Sequence, residues 1–381
     1  MAFNFDQWID RRHSDSVKWH KYGDRDVLPM WVADTDFRSP DCIISALQQR
    51  VEHGVFGYGD EAPAELIDTV IERCASRYGW QVEPDWLVFL PGIVSGLNLC
   101  VRAYTGEGES TVAPTPIYPP FRQAARLAQR DQLQLPLRLQ QGRWVMEISD
   151  TASQLSGNEK LLMLCNPQNP GGTVYRRAEL EAQLAFARRH DLIVCSDEIH
   201  CDLILEPGLQ HIPFATLSED AAQRSVTLMS PSKSFNIAGL GASLAIIPNR
   251  ALRQRFKQVR KGIVPHVDVL ALVAANAAWR DGQPWLDAQL DYLRENRDQL
   301  VARVNSLDGM TMVAPEGSYL GWIDVQPLQL ANPAQWFEQH GLGFSPGRDF
   351  GANTFVRCNF GCTRATLQEA LRRMARAVAS L

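Results

Sequence analysis

Three apolar runs in the middle of the chain each stop at residues that can do chemistry. "KLLMLCNP" (160–167) runs into "NPQNPGG", with Asn166 and Asn169. "LIVCSDE" (192–198) ends at Asp197, with His200 close behind. "SVTLMS" (225–230) runs into "SPSK", with Ser230, Ser232 and Lys233. Each alone has a plainer reading. An aspartate after a strand is usually a helix cap, an asparagine before Pro-Gly is a turn, and a lone lysine is a solvated charge. Together they bring an amide, a carboxylate and an amine to the ends of three successive runs. A lysine set between serines suits covalent chemistry on a phosphorylated aldehyde.

Pyridoxal phosphate has those needs: a lysine amine, an acid for its ring nitrogen and a cradle for its phosphate. Asp197 can pair with the ring nitrogen, which keeps the ring protonated and electron-accepting. Asn169 can donate to the ring's 3-oxygen, and Ser230 and Ser232 can serve the phosphate. "LPGIVSGLNLCVRAY" (90–104) offers a glycine turn opening a helix. The first amides of that helix, those of Ile93 and Val94, are free to bind phosphate, aided by the helix dipole.

The elements that must position these residues read as α/β. Apolar runs at 160–167, 192–198, 225–230 and 242–248 alternate with amphipathic stretches such as "RAELEAQLAFARRHD" (177–191), where Leu180, Leu184 and Ala187 share a face. Strands apolar throughout indicate a parallel sheet covered on both faces. In such a sheet, ligands sit beyond the carboxyl ends of the strands. The expected architecture is a large domain at 45–275, a mostly parallel sheet sandwiched by helices. A smaller α+β C-terminal domain is expected from 1–44 and 276–381. There, "EGSYLGWIDV" (316–325) and "TFVRCNF" (354–360) read as strands, and "WLDAQLDYLRENRDQLVARVNSL" (285–307) as a long helix joining the two domains. "TRATLQEALRRMARAVASL" (363–381) reads as a closing helix, with Thr366 and Glu369 as a capping box and Leu367, Leu371, Met374 and Val378 as its apolar stripe.

Bulk properties narrow the field. The chain has 381 residues, enough for more than one domain. A net charge of −5, without a block of like charges, gives no support for nucleic-acid or anionic-membrane binding. The start "MAFNFDQWIDRRHSDSVKWHK" has no apolar core, so no signal peptide is expected. No run has the roughly 18 apolar residues of a membrane span. The eight cysteines are scattered and lie mostly in apolar runs, so we expect no metal site and a cytoplasmic location.

With these residues in view, the chain resembles the fold-type I pyridoxal-phosphate enzymes of the aminotransferase superfamily over essentially its whole length. Within them it is similar to the cystathionine β-lyase-like carbon–sulfur lyases of the MalY/PatB type. The resemblance rests on "MWVADTDF" (30–37), "FGYG" (56–59), "PIYPPF" (116–121), "NPQNPGG", "SDEIHCDL" (196–203), "SPSKSFNIAGL" (230–240) and "FVRCNFGC" (355–362). It implies that Lys233 binds the cofactor and shuttles protons, and that Asp197, Asn169 and His200 contact the ring. Tyr118 would stack on the ring and line the substrate site with Asn169, and Arg357 would grip the substrate carboxylate in a bidentate pair. Tyr58 would reach the phosphate of a neighbouring subunit, so a homodimer with shared sites is implied.

Two positions depart from the common aminotransferase pattern and lean towards the lyases. Gly241 replaces a phosphate-binding arginine, and His200 replaces a tyrosine. Asp36 of "WVADTDF" belongs to the lyase signature. Trp31, Tyr58 and Tyr319 are the aromatics considered for the wall facing the leaving group. The implied reaction is β-elimination from L-cystathionine or another S-substituted cysteine, giving a thiol, pyruvate and ammonia. An aminotransferase is the alternative. A regulator with an aminotransferase-like domain is remote, because the stretch before Leu28 is too short for a helix-turn-helix module.

Overall fold

The computed structural model of the protein describes residues 3–148 and 154–381. Its strands are, in chain order, β1 Leu28–Met30, β2 Leu87–Leu90, β3 Ser110–Thr115, β4 Asp131–Gln140, β5 Arg143–Met146, β6 Glu159–Cys165 and β7 Ile193–Asp197. They continue with β8 Ser225–Met229, β9 Ser243–Ile246, β10 Thr311–Met312, β11 Leu320–Asp324, β12 Leu342–Pro346 and β13 Phe355–Asn359. Two sheets result. One has eight strands in the order β2-β9-β8-β7-β6-β3-β4-β5, and the other has five in the order β1-β12-β13-β11-β10.

The eight-stranded sheet is parallel through its centre. Its apolar strands are buried on both faces. Leu161 and Met163 of β6 join one core with the helix Ile93–Tyr104, while Leu162 and Leu164 join another with the helix Arg177–Arg189. That is the period-two alternation of a strand under two helical layers.

One strand differs from the parallel pattern expected for the apolar runs. β9 runs antiparallel to both β8 and β2. Chain between β8 and β9 contains only one short 3-10 turn, Ala238–Leu240, and a parallel return needs a crossover element. The loop instead folds back at the strand end, and Lys233 sits in it.

The five-stranded sheet lies against the long helix Gln283–Val304, which also touches the loop after β8. Gln289 Nε2 donates to Ser234 O at 2.9 Å, and Asn296 Nδ2 donates to Phe360 O at 3.0 Å and Cys362 O at 2.9 Å. The closing helix runs Arg364–Val378, three residues longer at its start than a Thr366 cap would give. Thr363 caps it instead, accepting from Thr366 N at 3.2 Å, and Glu369 lies inside the helix, paired with Arg373 at 2.6 Å. The expected stripe holds: Leu367 and Met374 are buried, and Leu371 and Val378 pack against the same core. No helix among the described residues is long and apolar enough to cross a membrane.

Candidate active site

Register brings the three expected strand ends level. Cys165 pairs with Asp197, and Asp197 pairs with Leu228. The segments leaving β6, β7 and β8 therefore start side by side. They open onto a cavity of about 270 Å³, walled also by Tyr118 and by Gly92–Ser95 at the start of the helix Ile93–Tyr104.

Asp197 is the last residue of β7 and is buried. Its carboxylate has one hydrogen-bond donor, the Ile199 amide at 3.1 Å. Burial pushes its pKa up to about 7; the Ile199 amide opposes that, Glu198 adds to it and Lys233 opposes it. Lys233 Nζ donates to Ala33 O at 2.7 Å. Burial pulls its pKa down to about 8, and of the charges around it Asp34 and Asp197 resist the fall while Arg357 assists it. His200 is buried, edge-on to the Tyr319 ring, and among the described residues its Nδ1 has no hydrogen-bond partner. Burial, then Lys233 and Arg357, push its pKa down to about 3, so the imidazole is neutral.

Arg357 comes from β13, on the other sheet. Its Nη1 donates to Asn169 Oδ1 at 2.9 Å and its Nη2 to Trp31 O at 2.9 Å, and the guanidinium lies over the Phe350 ring at 4.6 Å. Nε is buried without a partner, and among the described residues no carboxylate pairs with the group. Burial lowers its pKa to about 10. A buried cation without a counter-anion is costly unless a ligand supplies one. With its Oδ1 taken by Arg357, Asn169 has its amide hydrogens to offer.

Two expectations change. Ser230 is not a free phosphate donor: its hydroxyl donates to Ala242 O at 2.6 Å and accepts from Ser232 N at 3.1 Å. Its hydroxyl fastens the loop, although Ser230 lines the cavity together with Ser232 and the helix start. Tyr319 and Trp31 do not line this cavity. Tyr319 is fully buried with its hydroxyl on Ala33 O at 3.2 Å, and the Trp31 Nε1 donates to Lys18 O at 3.0 Å with Lys21 over the ring at 4.5 Å. Asp36 makes no contact with the cavity; it is buried in an ion cluster with Lys18 at 2.9 Å and Arg11 at 2.8 Å. Tyr58 is fully exposed and lies outside the cavity of its own chain.

Sequence reading missed the Ala33 carbonyl, Ser95, Asn236 and Asn359. The two asparagines stand inside quoted motifs, three residues after Lys233 and two after Arg357, and that spacing was the available signal. A backbone carbonyl has none.

Gly241 has a packing reason. Its φ is 71°, in the left-handed region, and a Cβ there would lie 2.8 Å from Pro91 O. An arginine does not fit this turn as it stands.

These residues fit pyridoxal phosphate. Among the described residues the buried Asp197 carboxylate makes no ion pair, the helix start carries amides open to the cavity, and a lysine amine shares that cavity. The aminotransferase class I and II family model matches residues 25–374. The chain belongs to that family and takes pyridoxal phosphate. Cystathionine beta-lyase PatB of Bacillus subtilis is 38% identical, over 97% of this chain and 98% of that one. Protein MalY of Escherichia coli is 32% identical over 96% of each. Among solved structures, OvoB is 68% identical with a TM-score of 0.98 and complete coverage of both chains. Cystalysin from Treponema denticola, which contains a pyridoxal 5'-phosphate cofactor, has a TM-score of 0.95 at 29% identity, again over both whole chains.

Proposed function

We propose that this chain is a carbon–sulfur β-lyase that cleaves L-cystathionine or related S-substituted cysteines to a thiol, pyruvate and ammonia. The observation that carries the reading is Arg357. It is a buried guanidinium without a carboxylate, tied through Asn169 to the cavity of Lys233 and Asp197. An α-amino acid brings the missing anion and sets its α-carbon towards the lysine.

Bound pyridoxal phosphate supplies an aldehyde for amines and an electron-accepting ring that makes the substrate Cα–H acidic. Asp197 would stabilise a positive charge at the ring nitrogen, which a carboxylate in a dry site does strongly. Asn169 would donate an amide hydrogen to the cofactor, Tyr118 would pack against it, and Ser232 and the Ile93 and Val94 amides would hold its phosphate. Arg357 grips the substrate carboxylate and fixes the Cα–H bond relative to Lys233. The Lys233 amine, freed when the substrate amine takes its place, accepts the Cα proton; the sulfur leaves Cβ as a thiolate, and water hydrolyses the released enamine to pyruvate and ammonia.

His200 stands beside the lysine as a neutral ring, adding no charge where the proton moves. Relatives named as cystathionine β-lyases and the glycine at position 241 favour elimination over amino-group transfer.

The protein acts as a homodimer in which Tyr58 of the second copy completes the phosphate site. Support comes from the exposed apolar run Val51, Val55, Phe56 and Tyr58. Its eight free cysteines, nearly all buried, favour a reducing compartment, the cytoplasm.

The test is incubation with L-cystathionine without any keto acid. The lyase releases thiol and pyruvate in equal amounts. A keto acid formed only when an acceptor is added, without thiol, overturns it in favour of the aminotransferase.

A further inference from the structure

The loop that leaves β1 is gripped carbonyl by carbonyl. Trp31 O accepts from Arg357 Nη2 at 2.9 Å. Val32 O and Asp34 O both accept from Asn359 Nδ2 at 2.6 Å. Ala33 O accepts from Lys233 Nζ at 2.7 Å and from Tyr319 OH at 3.2 Å. Thr35 O accepts from Asn236 Nδ2 at 3.0 Å. One strap of backbone thus holds both the lysine and the guanidinium of the site.

Asn236 is the stitch between this strap and the turn that carries Lys233. Besides Thr35 O, its Nδ2 donates to Phe37 O at 2.7 Å, and its Oδ1 accepts from Thr35 N at 3.0 Å. Its own carbonyl accepts from Ser39 Oγ at 3.2 Å. It sits at a φ of 56°, a left-handed conformation that asparagine tolerates better than most residues. The intervening turn is closed by Ile237 N on Ser232 O at 3.0 Å and Phe235 N on Pro231 O at 3.0 Å. The distance from Asn236 to Lys233 is therefore fixed, and so is the reach from Lys233 to Ala33 O.

We infer that Asn236 is a positioning residue for the reaction, locking the strap to the lysine turn so that Ala33 O aims the freed Lys233 amine. A lysine side chain has many rotamers, and one fixed acceptor selects among them. The bond to Ala33 O uses one of the amine's own hydrogens. The lone pair stays available, and the Cα proton goes to it. This inference rests on the proposal that Lys233 is the base.

The test uses the holoenzyme, with Asn236→Ala, Asn236→Asp and, for reference, Lys233→Ala. The substrate is an S-substituted cysteine carrying hydrogen or deuterium at Cα. A misaimed amine lowers kcat by about tenfold or more and leaves KM within about threefold, since a 1 Å misplacement can cost up to ~100-fold. The deuterium effect on kcat rises above that of the wild type, because proton removal has become slower. When pyridoxal phosphate is added to the cofactor-free variants, the yellow colour develops about tenfold more slowly, for the same reason.

A fall in Tm with wild-type kcat, deuterium effect and colour development overturns the inference and leaves Asn236 a structural stitch. Should Asn236→Ala fail to fold, Asn236→Asp carries the test, since it keeps an acceptor for Thr35 N but loses the donor to Thr35 O and Phe37 O. A rise in its deuterium effect supports the inference, and no change overturns it. Lys233→Ala separates the two levels. If that variant keeps turnover, the assignment of the base is wrong. If it is dead while the Asn236 variants behave as wild type, only the positioning role fails.

Discussion

Asp197 and Lys233 have opposite charges, and burial moves their pKa values towards each other, to about 7 and about 8. For Asp197 the sign of the stability effect follows directly. Its folded pKa lies above the ordinary 3.8, so its contribution is fully present below about pH 3.8 and is lost as pH rises through about 7. Cofactor-free wild type should therefore lose Tm relative to Asp197→Asn between those limits, by a difference worth roughly a few kcal/mol. Parallel thermal melts across pH check this; a constant difference contradicts it. Arg357→Lys keeps the charge but loses the bidentate fork, and should raise substrate KM about 10- to 100-fold with a smaller effect on kcat. Steady-state kinetics on one thioether reads that split.

These residues were legible because strand ends in an open parallel sheet converge, and Asn169, Asp197 and Lys233 each follow an apolar run. Ser230 was misread because its type suits both a phosphate and a loop fastening. Only the position of Ala242 O decides between them.

At the scale of elements, the loop between β8 and β9 carries most of the chemistry and most of the surprise. Its flanking strands could be read from unbroken apolar runs. Their antiparallel pairing could not, because direction depends on what the connecting loop can cross, and strand composition is blind to that. Similarly, "WVADTDF" stood out as a motif, but its work is done largely by carbonyl oxygens that any residue would supply. Its acidic residues hold the strap from outside through Arg11 and Lys18. The glycine at 241 is required by its turn. Gly241→Arg, which restores the residue many aminotransferases use, should cost about 1–3 kcal/mol through left-handed strain and the clash with Pro91 O. It should not tighten cofactor binding. Thermal melts and cofactor titration check both parts, and an unchanged Tm with tighter binding contradicts them.

At the scale of the molecule, Tyr58 is fully exposed, beside the exposed Val55 and Phe56. In the proposed dimer Tyr58 completes the neighbouring phosphate site. Tyr58→Ala and Lys233→Ala chains, each poorly active alone, should recover activity when mixed. The Tyr58→Ala chain keeps its lysine and takes the tyrosine from its Lys233→Ala neighbour. Random pairing makes half the dimers mixed, with one intact site each, so recovery approaches about a quarter of wild type. No recovery despite exchange of chains places Tyr58 within its own site or outside function.

Every residue role proposed for the site depends on where the cofactor is attached. Borohydride reduction of the holoenzyme followed by peptide mass mapping reads that attachment directly. The pyridoxyl group should be found on Lys233; finding it on Lys18, Lys21 or any other lysine of the chain, with Lys233 unmodified, would contradict the site described above.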